Sequence, residues 1–475
     1  MRGEKIKGVQ INWEIDPSKG RLASQLSAQI RTAIGDGKLS PGDKLPATRQ
    51  LAKELRLARG TIATAIELLV AEGLLEARTG AGTFVADEAR YIQEEPTESL
   101  SSPIGYVTPV TEPDIDLPKK ARIDFRPCRP SLEAFPLNAW RRCMSAATSG
   151  LPQSDYGDPK GTLYLRRVLS DYLRRARGLS VSPDNFIVTN GAVHAMDLLA
   201  LLLLSDQTTA VFENPGYPLA RQVFSRTRAK MHFCEIDENG IVTDDLPFDG
   251  QMGGLAYVTP SHQFPIGSRL SLQRRRELIN WAEARGALIV EDDYDGEFRF
   301  DVSPLAPLAA MAPNSVIYCG TFSKTMFPGL RIGFAAGPED VIDAMAAQRT
   351  ISEYAPNELI QRALANFIEE GEYERHVLRT RRLYKKKRRV VAELLGDHAR
   401  LSGIDSGLSA LLEIQEPFKA AEVSKDLERL GILIPCVSRY DINLAQSRNA
   451  LILGYAQPSI EQISKGINAL IDLLR

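Results

Sequence analysis

YCGTFSKTMFPGLRIGF, residues 318–334, begins at the end of an apolar run, SVIYCG (residues 315–320), and runs on through Thr321, Ser323, Lys324 and Arg331. An apolar run followed by such a polar segment reads as a buried strand and the loop at its carboxyl end, where open α/β sheets gather ligands. Lysine is a strongly hydrated cation, yet Lys324 stands among small hydroxyls, with Arg331 seven residues further on. A partly desolvated amine beside another cation becomes a nucleophile. Hydroxyls and a guanidinium suit a phosphate. Lysine plus a phosphate cradle suggests a Schiff base with pyridoxal 5'-phosphate, PLP. Taken alone, a loop lysine is usually just solvated.

Three other stretches bear on that choice. ALIVEDDYDGEF (residues 287–298) is an apolar strand emptying into acids, with Asp292 and Tyr294 two apart. A PLP ring nitrogen wants a carboxylate and its phenolic oxygen a hydroxyl donor, and this pair fits both ends. A metal site or a plain acidic loop would use the same acids, although no phosphate-cradling P-loop motif accompanies them. VTNGAVHAMDLL (residues 188–199) is a strand end, a small-residue turn and a helix start. The N–H groups around Gly191 and Ala192 can hold a phosphate. In ENPGYP (residues 213–218), Tyr217 offers a face for a pyridine ring, or is ordinary core.

Bulk properties narrow the field. The chain has 475 residues, 44% hydrophobic and 25% charged, with net charge −2. There is no global nucleic-acid or membrane signal, so any nucleic-acid surface must be local. Five scattered cysteines without C-x-x-C spacing fit reduced thiols, with no disulfide framework and no metal site. The longest apolar block, AMDLLALLLL (residues 195–204), is too short to span a bilayer. A soluble cytoplasmic protein is expected. Residues 1–87 read as short helices ending in a Gly-rich hairpin, and residues 88–122, rich in proline and acids, as a linker. In residues 123–475 strand-like runs alternate with helical segments, which predicts an α/β unit with a mainly parallel sheet. A smaller α+β subdomain is expected over approximately 350–475.

The amino-terminal region reads as helix, short helix, turn, second helix and wing. Leu22, Leu26, Ile30 and Ile34 mark one helical face, and Ile62, Ile66, Leu69 and Val70 another. Between Lys44 and Gly60 stand five bases, Lys44, Arg49, Lys53, Arg56 and Arg59, against the single acid Glu54. A recognition helix enters the major groove by its amino-terminal end. Arg59 and Thr61 are therefore the expected base or phosphate contacts, with Arg49 from the preceding helix. In the wing, Arg78, Gly80 and Gly82 would bring backbone close to phosphate. A merely solvated basic face fits the same charges. The motifs LSPGDKLPATRQLAKEL, RGTIATAIELLVAEGLL and GAGTFV resemble the GntR family of bacterial regulators, which implies DNA binding. That family often has a serine cap where Ala47 stands, and Thr48 would substitute.

The large region resembles the fold-type I aminotransferases and, with the reader in front, the MocR/GabR regulators. DYGDPKG, TNGAVHAMDLL, ENPGYP, TPSHQFPIG, VEDDYDGEFRF and GTFSKTMFPGLRIGF carry the likeness. The fold it implies is a winged-helix domain joined to an α/β aminotransferase-like domain with a smaller α+β carboxyl-terminal part. By resemblance, Lys324 is the Schiff-base lysine, Asp292 holds the pyridine nitrogen and Tyr294 the ring oxygen. Arg331, Ser323, Gly191 and Ala192 face the phosphate, and Tyr217 stacks on the ring. Tyr156 would reach the phosphate of a partner subunit, implying a domain-swapped homodimer. His262 is a further candidate for ring contact.

The family's carboxylate-gripping arginine is replaced by Ile452 in LILGYA (residues 451–456), with Arg439 or Arg448 able to compensate. The expected partners are a duplex operator with repeated half-sites and a small amine or amino-acid-like effector, or PLP itself. A working aminotransferase with an amino-terminal module is the alternative. The run Arg375–Arg389, with nine bases, invites an auxiliary DNA contact but is read instead as solvated helix with its charges spread over several faces.

Overall fold

A computed structural model describes residues 13–92, 121–151, 153–248, 253–300, 305–445 and 447–475. The chain forms two compact units whose boundary falls within residues 93–120. Most of the expected linker, 88–122, lies outside the described residues; its start is a short 3-10 helix, Asp87–Ile92.

The first unit is three helices and a hairpin. Helix α1 (Leu22–Gly35) buries Leu26, Ile30, Ala33 and Ile34. Helix α2 (Thr48–Glu54) buries Leu51, and α3 (Arg59–Ala71) buries Ile62, Ala65, Ile66 and Leu69. Two sequence expectations need correction. Val70 is exposed, because a stripe through 62, 66 and 69 turns position 70 outward. Thr48 does not cap α2: no side chain does, and the Gln50 N–H goes to the Ala47 carbonyl at 2.8 Å. Strands β1 (Leu75–Arg78) and β2 (Gly82–Val85) pair antiparallel, with Arg78 opposite Gly82 at the turn. Arg31 and Glu72 tie α1 to the end of α3 at 2.7 Å.

The second unit begins with β3 (Ile123–Asp124) and is built on an eight-stranded sheet. Its strands are β4 (Phe186–Thr189), β5 (Thr209–Asn214), β6 (Lys230–Asp237), β7 (Gly240–Ile241), β8 (Gly254–Val258), β9 (Leu288–Asp292), β10 (Val316–Thr321) and β11 (Gly333–Ala336). The order is β4-β11-β10-β9-β8-β5-β6-β7. Pairs among β6, β5, β8, β9 and β10 are parallel, while β11 runs antiparallel to both its neighbours. The segment read as one loop after SVIYCG is thus strand, loop and strand, since Gly333–Ala336 is buried and paired on both sides. Strands buried along almost their whole length, as β4, β5, β8, β9, β10 and β11 are, are what a mainly parallel sheet demands. The carboxyl ends of β4, β5, β8, β9 and β10 all emerge at one edge.

A second core surrounds a three-stranded sheet, β12 (Arg400–Ser402), β13 (Ser409–Glu413) and β15 (Ala450–Gly454). Strand β3 pairs in parallel with β14 (Ile432–Leu433), so the start of this unit joins its end. The long helix Glu372–Leu395 packs Tyr384, Val391 and Leu395 into that core. Its nine bases lie on several faces: six are exposed along one side, and Arg381, Lys387 and Arg388 lie on others. No helix among the described residues is long and apolar enough to cross a membrane.

Ile30 is fully buried in the core of the first unit, where α1 packs on α3. Ile30→Ala is expected to destabilise the first unit by about 2–5 kcal/mol. Urea unfolding should show that transition moving while the transition of the second unit, which has its own core, stays in place.

Candidate functional site

Five strand ends open onto a cavity of about 300 Å³, whose walls include Lys324, Asp292, Tyr294, Tyr217, Arg331 and Arg439. The loop 322–332 carries Lys324 rigidly. Its ends are joined by the Phe322 N–H on the Ile332 carbonyl at 3.1 Å. Thr325 is pinned from outside by the Tyr373 hydroxyl at 3.1 Å and by the His376 ring against its carbonyl at 2.7 Å.

The acids after β9 divide by partner. Glu291 accepts the N–H groups of Leu308 and Ala309, each at 3.0 Å. Asp293 pairs with Arg177 at 2.9 Å and accepts the Tyr318 hydroxyl at 2.6 Å. Asp295 pairs with His262 at 3.0 Å. Asp292 alone faces the cavity: Oδ2 accepts the Tyr257 hydroxyl at 2.7 Å, and buried Oδ1 has no partner among the described residues. Burial pushes this carboxyl up to about 7, Asp293 and Asp295 pushing the same way and Tyr257 and Lys324 opposing. No cluster of three metal-ligating side chains occurs among the described residues. The acids' divergent directions are the reason.

Arg331 closes another wall. Its backbone is left-handed, φ 53°, and its guanidinium donates to the Asn190 carbonyl at 2.6 Å. A Cβ on Gly191 would stand 3.2 Å from that guanidinium, so glycine lets Arg331 lie against the turn that starts helix Ala192–Leu203. Ala192, Thr321 and Ser323 line the cavity beside it. Tyr217 lines it too, its ring edge-on to Phe264 at 5.8 Å.

The remaining candidates fall in different places. His262 sits behind Tyr294 instead of on the cavity wall. The Tyr294 hydroxyl donates to the His262 carbonyl at 3.0 Å. The ring Nδ1 faces Asp295, and Nε2 faces the Gly403 carbonyl at 3.2 Å. Burial opposes the imidazolium, but Asp295 outweighs it and raises the proton affinity of His262. Gly407 leaves that ring its room, since a Cβ there would come within 2.2 Å. Arg439 lines the cavity from the short turn Val437–Tyr440. Arg448 does not; it donates to the Ile236 carbonyl at 3.0 Å. Ile452 is core, its N–H on the Pro435 carbonyl at 2.8 Å. Tyr156 is 73% exposed, stacked on Tyr354 at 4.4 Å away from the cavity.

Tyr257, Cys128, Arg129 and Phe264 also line the cavity and were not singled out from the sequence. Tyr257 lies mid-strand in an apolar run, and only the register of β8 on β9, Tyr257 opposite Val290, brings its hydroxyl to Asp292. The positive φ of Cys128, 60°, has no sequence signal.

In the first unit, Arg59 opens α3 and is exposed, Thr61 is half-buried, and Arg49 is exposed on α2. Lys44 and Arg78 lie over the Phe84 ring at 5.6 and 4.7 Å. Lys44 passes close over Gly82, where a Cβ would meet its Cε at 2.8 Å. Gly80, φ +76°, makes the wing's turn.

Comparison with known proteins follows the same division. A family described as "Aminotransferase class I and II" matches residues 130–461, and "Bacterial regulatory proteins, gntR family" matches residues 22–85. The "HTH-type pyridoxine biosynthesis transcriptional regulator PdxR" of Corynebacterium glutamicum is 34% identical, covering 88% of each chain. The "Probable rhizopine catabolism regulatory protein MocR" of Rhizobium meliloti is 32% identical, covering 94% of this chain and 92% of that one. Among solved structures, an archaeal alanine:glyoxylate aminotransferase gives a TM-score of 0.68 at 26% identity, covering 74% of this chain and 90% of that one.

Asp292 holds its proton more tightly in the folded cofactor-free protein than in the unfolded chain, where the ordinary value is 3.8. Its contribution therefore turns against folding as pH rises from about 4 to about 7. Asp292→Asn is expected to raise the Tm of cofactor-free protein by a few degrees above pH 7. Near pH 4 the two proteins should melt together, as calorimetry across that range would show.

Proposed function

The chain belongs to the aminotransferase class I and II family and to the MocR-type regulators with a GntR DNA-binding domain, and from that footing we propose that it is a PLP-dependent amine sensor that controls transcription. One observation carries the reading: Asp292, whose buried Oδ1 has no hydrogen-bond partner, and Lys324 line the same cavity. PLP bound there supplies an aldehyde carbon that condenses reversibly with a primary amine.

The residues fit that group. Lys324 would contribute the amine, and Asp292 would accept the pyridine N–H at its unpartnered oxygen. Arg331, Ser323, Gly191 and Ala192 would hold the phosphate, where a guanidinium lies against a glycine turn at a helix start. Tyr294, braced by His262, would stand at the ring oxygen, and Tyr217 would cover the ring. A second copy of the chain presents Tyr156; exposed Leu151, Ile351 and Tyr354 supply apolar surface for such a pairing. The protein acts in the cytoplasm.

With PLP bound, an effector amine would compete with Lys324 for the aldehyde, and a lysine left free would change the charge at the end of β10. Arg439 meets the effector's polar end, in place of an arginine at position 452. With Ile452 in the core, sensing is favoured over turnover. The winged helix reads a duplex operator through Arg59, Thr61 and Arg49, with Lys44, Arg78, Gly80 and Gly82 on the backbone.

Two substitutions separate the units. Arg59→Ala should weaken operator binding by about 1–3 kcal/mol while leaving cofactor absorbance unchanged. Lys324→Ala should abolish borohydride-reducible attachment of PLP and leave DNA binding by the cofactor-free protein largely intact. Titrating the PLP-loaded protein with γ-aminobutyrate, taurine, polyamines and dipeptides, while following cofactor absorbance and operator affinity, tests the sensor. Identical operator affinity with and without PLP and every amine would refute it. Steady conversion of an amino acid and a keto acid would favour an enzyme.

A further inference from the structure

The second unit carries a basic surface that the cofactor cavity does not use. Helix Glu372–Leu395 contains nine bases between Arg375 and Arg389. Three of them serve the fold. Arg381 donates to the Glu297 carbonyl at 2.6 Å, and Lys387 to the Ala456 carbonyl at 2.8 Å. Arg388 lies over the Phe300 ring at 5.4 Å. The other six, Arg375, Arg379, Arg382, Lys385, Lys386 and Arg389, are exposed.

At about 100° per residue these six fall within an arc of roughly 120°. The side opposite them buries Tyr373, Val377, Thr380, Tyr384 and Val391. The stripe is about 21 Å long at 1.5 Å per residue, or about six phosphates of one DNA strand.

Carboxylates stand at the two ends of the stripe. Glu372 is 3.2 Å from Arg375, and Glu393 is 2.7 Å from Arg389. In the middle, Arg379, Arg382 and Lys386 have no ion-pair partner among the described residues. The whole chain has net charge −2, so this excess is local and not a sample of a generally basic surface.

We propose that the outward face of helix Glu372–Leu395 is a second contact for duplex DNA, binding its phosphates irrespective of sequence. A chain that already carries a duplex reader brings this stripe to DNA as a matter of course, and a row of cations spaced three and four residues apart matches a regular polyanion. A membrane surface fits less well. Interfacial helices insert an apolar face, and here the apolar face is committed to the protein core.

The test uses full-length, PLP-loaded protein with Arg49→Ala and Arg59→Ala, so that the reader is weakened. Binding to a long duplex of arbitrary sequence is measured at several salt concentrations. Adding Arg379→Gln, Arg382→Gln and Lys386→Gln is expected to reduce the affinity about tenfold or more at low salt. It should also flatten the salt dependence by about 2–3 in logarithmic slope, near 0.9 per lost phosphate contact. The sign-preserving set Arg379→Lys, Arg382→Lys and Lys386→Arg should restore both, which separates charge from any damage to the fold. Unchanged affinity and slope in the glutamine set would overturn the proposal. So would unchanged DNA binding together with lost binding to phosphatidylserine vesicles, which would give the face to a membrane.

Discussion

A carboxylate held in a dry sheet edge with one oxygen unanswered is an expensive thing to fold around, and the second unit is organised about it. Asp292 is buried at the cavity wall, accepts one hydroxyl, and leaves Oδ1 without a hydrogen bond. An unsatisfied buried carboxylate oxygen costs on the order of 1–3 kcal/mol or more, and proteins keep such groups where a ligand completes them. Its neighbours differ in place and pairing: Glu291 is held by two backbone N–H groups, Asp293 by Arg177 and Asp295 by His262. None of the three lines the cavity, although Asp293 also keeps one oxygen without a hydrogen bond. The parallel sheet makes this possible. Consecutive residues at the end of β9 point to opposite faces, so one strand end supplies both a structural acid and a ligand-facing one.

The cavity is also tied to the smaller core. Tyr294 rests on His262, His262 on Gly403, and Gly407 lies against the same ring. On another wall, the turn bearing Arg439 is fixed twice. Pro435 is held by the Ile452 N–H, and the Tyr440 carbonyl accepts the Gly216 N–H at 3.1 Å, beside Tyr217. A ligand that shifts Tyr294 or Arg439 therefore acts on contacts shared by both cores, which is the physical requirement for a conformational readout.

Much of this was legible in the sequence because the chemistry sits at strand ends, where composition changes abruptly within a few residues. Lys324, Asp292, Tyr217 and Arg331 each follow an apolar run and could be read locally. Tyr257 could not, because its hydroxyl reaches Asp292 only through cross-strand register. His262 was visible as a polar residue in TPSHQFPIG, but its place behind Tyr294 depends on Asp295 and Gly403, far apart in sequence. β11 was hidden in a short Gly-containing run that earns its strand state from neighbours on both sides. The basic helix was legible as a charge run on several faces, but not in which of its bases stay exposed. Counting charges along the chain does not reveal that the inward bases are occupied, and only burial separates those three from the exposed six.

The most direct test of the central claim is chemical. The purified protein would be incubated with PLP, reduced with borohydride, digested, and its peptides weighed by mass spectrometry. The account predicts a phosphopyridoxyl group on Lys324 alone, lost when excess effector amine is present before reduction. A label spread over surface lysines, or fixed on another residue, would contradict it and leave the cavity without the cofactor for which its walls are arranged.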